Sequence, residues 1–162
     1  MSKYLIREIE PHELSILEEM LYEAIFQPDE NNILPKDVIK QPEISVYIEH
    51  WGKLDDLCLV VDVDGKIIGA VWTRILAGKT KGYGNIDDQT PEFAISLLKE
   101  YRKKGIGTDL MTKMINKLKE HGYKQTSLSV AKDNYAVKMY KNLGFEVIAE
   151  KENDYLMLLK LN

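Results

Sequence analysis

Apolar residues recur along this chain with two different periods, and the changes of period mark out its elements. Leu14, Leu17, Leu21 and Ile25 fall on one helical face, and Pro11 suits the first turn of that helix. Residues 4–8, YLIRE, read as a short strand before it. QPDENNILP (27–35) is dense in turn formers and reads as a loop, whereas 36–51 carry a helical pattern that Pro42 interrupts. LCLVVDV (57–63) and KIIGAVWTRIL (66–76) flank Asp64-Gly65, a two-residue hairpin signature. AGKTKGYGN (77–85) lacks the spacing of a phosphate loop and reads as a turn or mobile loop; PEFAISLL (91–98) reads as a strand. Leu110, Met111, Met114, Ile115 and Leu118 predict a helix of about four turns that Gly122 stops. QTSLSVA (125–131) alternates as a strand, and DNYAVKMYKNLG (133–144) is a short helix capped by Asp133 or Asn134. FEVIAE and DYLMLLKL close the chain as strands. The predicted order is β-α-α-β-β-β-α-β-α-β-β. It describes an α/β (α+β) domain over 1–162, with about seven strands in one mixed sheet and about four helices.

Composition adds exclusions. The one cysteine, Cys58, rules out an internal disulfide and a multi-cysteine zinc site, and its apolar run reads as core. No metal ligand set is expected, and His12, His50 and His121 read as surface or packing residues. No apolar run approaches the ~18 residues of a membrane span. MSKYLIREIE lacks the apolar centre of a signal peptide, so the expected location is cytoplasmic, with no membrane partner.

Net charge is −4, which argues against nucleic acid as a partner. The charge is uneven. Residues 1–95 hold 9 Lys/Arg against 18 Asp/Glu, net −9, and residues 96–162 hold 13 against 8, net +5. Such a split suits an anionic ligand on the basic half and a cationic one on the acidic half, or it is solvated surface charge.

YRKKGIGTDLM (101–111) joins the strand at 91–98 to the long helix. The first N–H groups of a helix lack intrahelical partners and carry partial positive charge, so anions bind there. Gly105 and Gly107 let backbone approach a ligand closely, and Arg102, Lys103 and Lys104 add charge. The stretch is neither a dinucleotide fingerprint, since Leu110 stands at the third glycine position, nor a Walker loop, since no G-K-[ST] follows. An ordinary turn and an anion site both remain open on these residues alone.

The order strand, RKKGIG, helix, strand, DNYAVKMYKNLGF resembles the GNAT superfamily of acyl-CoA-dependent N-acetyltransferases. That family carries [RQ]-x-x-G-x-[GA] after its fourth strand and then roughly N-x-x-A-x-x-x-Y-x-x-x-G-F. Here the matches are Arg102, Gly105 and Gly107, then Asn134, Ala136, Tyr140, Gly144 and Phe145, with one residue rather than two between Asn134 and Ala136. The motifs lie within residues 92–146, and the first 90 residues match in element order.

The resemblance implies acetyl-CoA, with coenzyme A as product, as the co-substrate. Backbone N–H groups of Lys103, Lys104, Gly105, Ile106, Gly107 and Thr108 would hold the pyrophosphate, and Arg102 would close the loop. Main-chain groups near Ser96 and Leu97 would pair with the pantetheine arm and the thioester carbonyl. Asn134 would bond the pantetheine, its alternative being a helix cap. Tyr140 would protonate the departing thiolate, its alternative being aromatic packing. Glu92 would be the general base, direct or through water, with Asp87 and Asp88 as other acidic groups for a cationic acceptor. Trp51, Trp72 and Tyr83 are pocket candidates or packing residues. The implied activity is transfer of an acetyl group to a primary amine of a small molecule or peptide by direct attack in a ternary complex. A binding or sensor module without turnover is the rival, and a nucleotide-binding regulatory domain fits the glycine loop but not 134–145. Oligomeric state is not written in these residues, and a homodimer stands only as an analogy with relatives.

Overall fold

The computed structural model describes residues 3–162. Seven strands form one sheet: β1 (Leu5–Glu8), β2 (Leu57–Val63), β3 (Lys66–Arg74), β4 (Glu92–Leu97), β5 (Gln125–Ala131), β6 (Glu146–Glu150) and β7 (Asp154–Lys160). Their order across the sheet is β1-β2-β3-β4-β5-β7-β6. Every neighbouring pair is antiparallel except β4 and β5, which run parallel. The α-helices are α1 (Ile16–Ala24), α2 (Pro42–Ser45), α3 (Ile106–Glu120) and α4 (Ala136–Asn142).

Strand periodicity divides the core into two layers. On β2, Leu59, Val61 and Val63 face one cluster, and Cys58 and Val60 face the other. The first layer takes the apolar stripe of α3, with Leu110, Met111, Met114 and Leu118 all fully buried. The second takes Leu17, Met20 and Leu21 of α1 and the fully buried Trp72 of β3. Burying each such side chain is worth roughly 1.5–3 kcal/mol, so the sheet is clamped from both faces.

The predicted hairpin is present. Asp64 and Gly65 both take positive φ, and Asp62 Oδ1 accepts the Gly65 N–H at 2.7 Å. Three expectations change. Pro11 opens a 3-10 turn over Pro11–Glu13, and α1 begins only at Ile16. The broken 36–51 segment is a 3-10 turn at Lys36–Lys40 followed by the one-turn α2, and Pro42 starts that turn rather than ending one. The 133–144 helix is confined to Ala136–Asn142.

Candidate active site

The parallel pair β4–β5 is joined at a single register position, Glu92 opposite Ser127, and the strands part beyond it. A cleft of about 710 Å³ occupies the gap, lined on one side by the 102–108 loop and on the other by Tyr47, Tyr83 and Glu92. Strand chemistry fixes what faces it. Pro91 C=O accepts the Ser127 N–H on the β5 side, and Ile68 C=O accepts the Leu98 N–H on the β3 side. Main-chain groups alternate sides along a strand, so Ile95 and Leu97 present theirs to the cleft while Ser96 presents its own to β3. The main chain of Ser96 therefore faces β3 although the residue still lines the cleft, and its hydroxyl packs on Met20 Sδ at 3.4 Å. Leu97 keeps its place, although its carbonyl accepts Arg102 Nε at 2.9 Å.

The 102–108 loop leaves backbone N–H groups free at the start of α3. Gly105 precedes α3 with φ +86°, a left-handed conformation that disfavours a side chain, and nothing lies where its Cβ would stand. The first intrahelical bond is Asp109 N–H to Gly105 C=O, which leaves the N–H groups of Ile106, Gly107 and Thr108 without intrahelical acceptors. The Ile106 side chain is buried in the core, so only its backbone faces the loop. Gly107 sits against the Met139 thioether, whose sulfur is 3.4 Å from where a Cβ would be.

The charged side chains divide. Arg102 turns back beneath the loop: besides Leu97 it donates to Glu23 C=O at 3.3 Å and pairs with the Glu23 carboxylate at 3.7 Å. It therefore ties the loop to β4 and α1 rather than pointing into it. Lys103, held at φ +62°, lines the cleft and places Nζ 5.0 Å over the Tyr135 ring. Lys104 is exposed and does not line the cleft.

Asn134, Ala136 and Tyr140 of the 134–145 motif reach the cleft wall from α4 and the turn before it. Asn134 Oδ1 accepts the Ala136 N–H at 2.9 Å, so the helix cap is real and its amide NH2 is what remains for a ligand. Tyr140 is buried against Phe145, ring centroids 5.9 Å apart, and burial pushes its phenol pKa up. It lines the cleft as well, so its packing on Phe145 does not remove it from the cleft.

Glu92 is 2 % exposed. Its Oε2 accepts the Tyr47 hydroxyl and, at 3.0 Å, the Gly84 N–H; its Oε1 is buried without a partner among the described residues. Burial raises its pKa to about 7, although both hydrogen bonds pull the other way. The connection read as a turn or mobile loop is a strap packed on this carboxylate. A Cβ at Gly82 would lie 2.1 Å from Glu92 Oε1, and one at Gly84 would lie 2.8 Å from the Ser129 nitrogen. Tyr83 N–H donates to the Tyr47 hydroxyl at 2.8 Å, and Ser127 Oγ donates to Gly84 C=O at 2.6 Å.

Most of the other candidates lie outside the cleft. Asp87 and Asp88 are exposed and outside the cleft, which is lined instead by the acidic Glu23, Glu92 and Asp154. Trp72 is core and donates its indole N–H to Tyr47 C=O at 3.0 Å. Trp51 packs against the Arg74 guanidinium, 5.2 Å from ring centroid to Cζ, whereas Tyr83 does line the cleft. Cys58 is buried and its thiol pKa is pushed up by burial, which makes it a poor nucleophile.

Tyr47 was not visible as a site residue in the sequence. It sits in the broken helical segment, and no spacing ties it to Glu92, 45 residues later. The one available signal was the pair of glycines around Tyr83.

A sequence model of the acetyltransferase (GNAT) family matches residues 19–145. An N-alpha-acetyltransferase from Sulfurisphaera tokodaii is 29% identical over 126 residues, covering 71% of this chain and 75% of that protein. Human N-alpha-acetyltransferase 30 is 29% identical over 147 residues, covering 86% of this chain and 38% of that protein. The crystal structure of PaiA N-acetyltransferase from Thermoplasma acidophilum in complex with coenzyme A superimposes with a TM-score of 0.69 at 23% identity, covering 98% of this chain and 99% of that one. With its splayed β4–β5 pair and the glycine-bearing 102–108 loop at the start of α3, this chain belongs to the GNAT family of acetyltransferases, acyltransferase enzymes that take acetyl-CoA as co-substrate.

Proposed function

We propose that this protein moves an acetyl group from acetyl-CoA to a primary amine by direct attack within a ternary complex, with Glu92 as general base and Tyr140 as general acid. The observation that carries the reading is Glu92: a buried carboxyl, raised to about 7, lining the same cleft as Tyr140 and the 102–108 loop. The cleft fits the donor by its own features, namely free N–H groups at the start of α3, a glycine with left-handed φ, and main-chain groups of Ile95 and Leu97 along the gap. Acetyl-CoA supplies an activated thioester when bound.

Each residue then has a task. Backbone N–H groups of 106–108 neutralise phosphate charge, with Lys103 beside them. Cleft-facing N–H groups of β4 are placed to stabilise charge developing on a carbonyl oxygen. Tyr140 keeps its proton across the physiological range, because burial raises its pKa, and gives it to the departing sulfur. Glu92, ionised above about pH 7, removes a proton from the amine.

The acceptor follows from proton affinity. A base of about 7 is nearly matched to an α-amino group at ~7.7–8.0 and sits more than three units below a lysine at ~10.4. An α-amino group is therefore the acceptor we assign. This agrees with the activity for which the N-alpha-acetyltransferase relatives are named. The test is release of free thiol from acetyl-CoA with peptide pairs. Peptides with a free α-amine should turn over, and the same peptides with a blocked α-amine and a free lysine should not. Equal turnover of both would refute the α-amine assignment, and donor binding with no turnover on any amine would refute the catalytic reading.

A further inference from the structure

We propose that Tyr47 is a positioning residue for the proton-accepting step, fixing one oxygen of Glu92 so that the other takes the proton. The inference rests on the reading of Glu92 as base. Oε2 accepts from the Tyr47 hydroxyl and from Gly84 N–H, which occupies the lone pairs it would offer to an acid. Oε1 is buried and unpartnered among the described residues, so it is the oxygen with basic capacity left. The direction of the Tyr47 proton is set as well. Tyr83 N–H donates to the phenol oxygen at 2.8 Å, so the phenol's own hydrogen points at Glu92.

The position of Tyr47 is built from buried groups of β3. Trp72 Nε1 donates to Tyr47 C=O at 3.0 Å. Arg74 donates to Val46 C=O at 2.9 Å and Glu49 C=O at 2.8 Å, while its charge is met by Asp56 at 3.0 Å. A segment with little helix of its own is thus gripped on both sides of Tyr47.

The other charged and titratable groups around Glu92 are accounted for. On β3, Arg74 is its cross-strand partner and is committed to Asp56. On β5, the facing Ser127 is neutral and bonded to Gly84 C=O. Tyr83 of the strap, Asp154 at the start of β7 and Tyr140 of α4 line the cleft. Among them all, the Tyr47 hydrogen bond is the one side-chain contact that lowers the Glu92 pKa, against burial.

The experiment follows the Glu92 carboxyl by carbon NMR and kcat against pH in three proteins: wild type, Tyr47→Phe, and a protein carrying 3,5-difluorotyrosine at position 47. The fluorinated residue keeps the ring and acidifies the phenol, so it tests the idea even if the phenylalanine variant fails to fold. Removing the hydrogen bond should raise the Glu92 midpoint by about one pH unit, the size expected for a hydrogen bond to an ionised group. Fluorination should lower it. The limb of kcat should move with each, at unchanged coenzyme A affinity. Unmoved midpoints would overturn the proposal, as would loss of coenzyme A affinity alone. Moved midpoints with a stationary kcat limb would show instead that Glu92 is not the base, and the positioning role would fall with it.

Discussion

Replacing Glu92 with Gln gives a stability experiment whose sign is set by burial. The Glu92 carboxyl rises from an ordinary 4.5 to about 7 in the folded protein. At about 1.4 kcal/mol per pH unit, that difference amounts to about 3 kcal/mol. Because the folded state holds the proton more tightly, the unfolded state binds fewer protons between these two values, and stability falls as pH rises through that window. The cost is absent below about pH 4.5 and complete above about pH 7. Glutamine does not titrate there. It carries a fixed cost of its own, since its NH2 must occupy the unpartnered Oε1 position beneath Gly82. A fixed cost cancels when one variant is followed across pH. The stability of wild type minus that of Glu92→Gln should therefore drop by up to about 3 kcal/mol between pH 5 and pH 8, read from urea unfolding midpoints at constant m. If the two proteins follow parallel pH profiles, Glu92 does not carry a buried ionisation and the reasoning fails. In the same variant, kcat should fall by roughly 10²–10⁴ and lose its acid limb, the loss typical of a general base.

Other parts of the site give sharper single readouts. Tyr140→Phe should lower kcat by roughly 10²–10⁴ while coenzyme A affinity, measured calorimetrically, stays within about twofold. Asp56→Ala should cost about 3 kcal/mol, because it leaves the 2 % exposed Arg74 guanidinium with backbone carbonyls alone; differential scanning should show a Tm lower by about 6–12 °C. Gly84→Ala places a Cβ 2.8 Å from the Ser129 nitrogen, a backbone atom that cannot move aside cheaply, and should cost about 1–3 kcal/mol by chemical denaturation.

What the chain revealed in advance was whatever is written locally. The α3 stripe, the Asp64-Gly65 turn and the glycines of the 102–108 loop each depend on neighbours within a few residues, so periodicity and turn chemistry reach them. The place of Glu92 on the cleft was legible because it begins the strand that feeds the loop. Which main-chain groups of β4 face the gap, those of Ile95 and Leu97 rather than Ser96, is decided by its register with β3 and is not written locally. Tyr47 was invisible for a related reason. Its segment has weak helical character, and what holds it are Trp72 and Arg74, about 25 residues further on in a different element. The strap at 82–84 looked mobile since glycine usually signals freedom. Here the absence of a Cβ lets backbone lie directly on a carboxylate.

The buried position of Cys58 bears on how the protein can be studied. It is the chain's one cysteine, 5 % exposed, and its thiol resists ionisation. A colorimetric reagent counting the free thiol released from acetyl-CoA will therefore meet no background from the folded enzyme. The same silence opens a labelling route. Gly78 is exposed, with nothing within 4 Å of where its Cβ would stand. A cysteine placed there would react alone, putting a dye four residues from Gly82 to report on the strap as substrates enter.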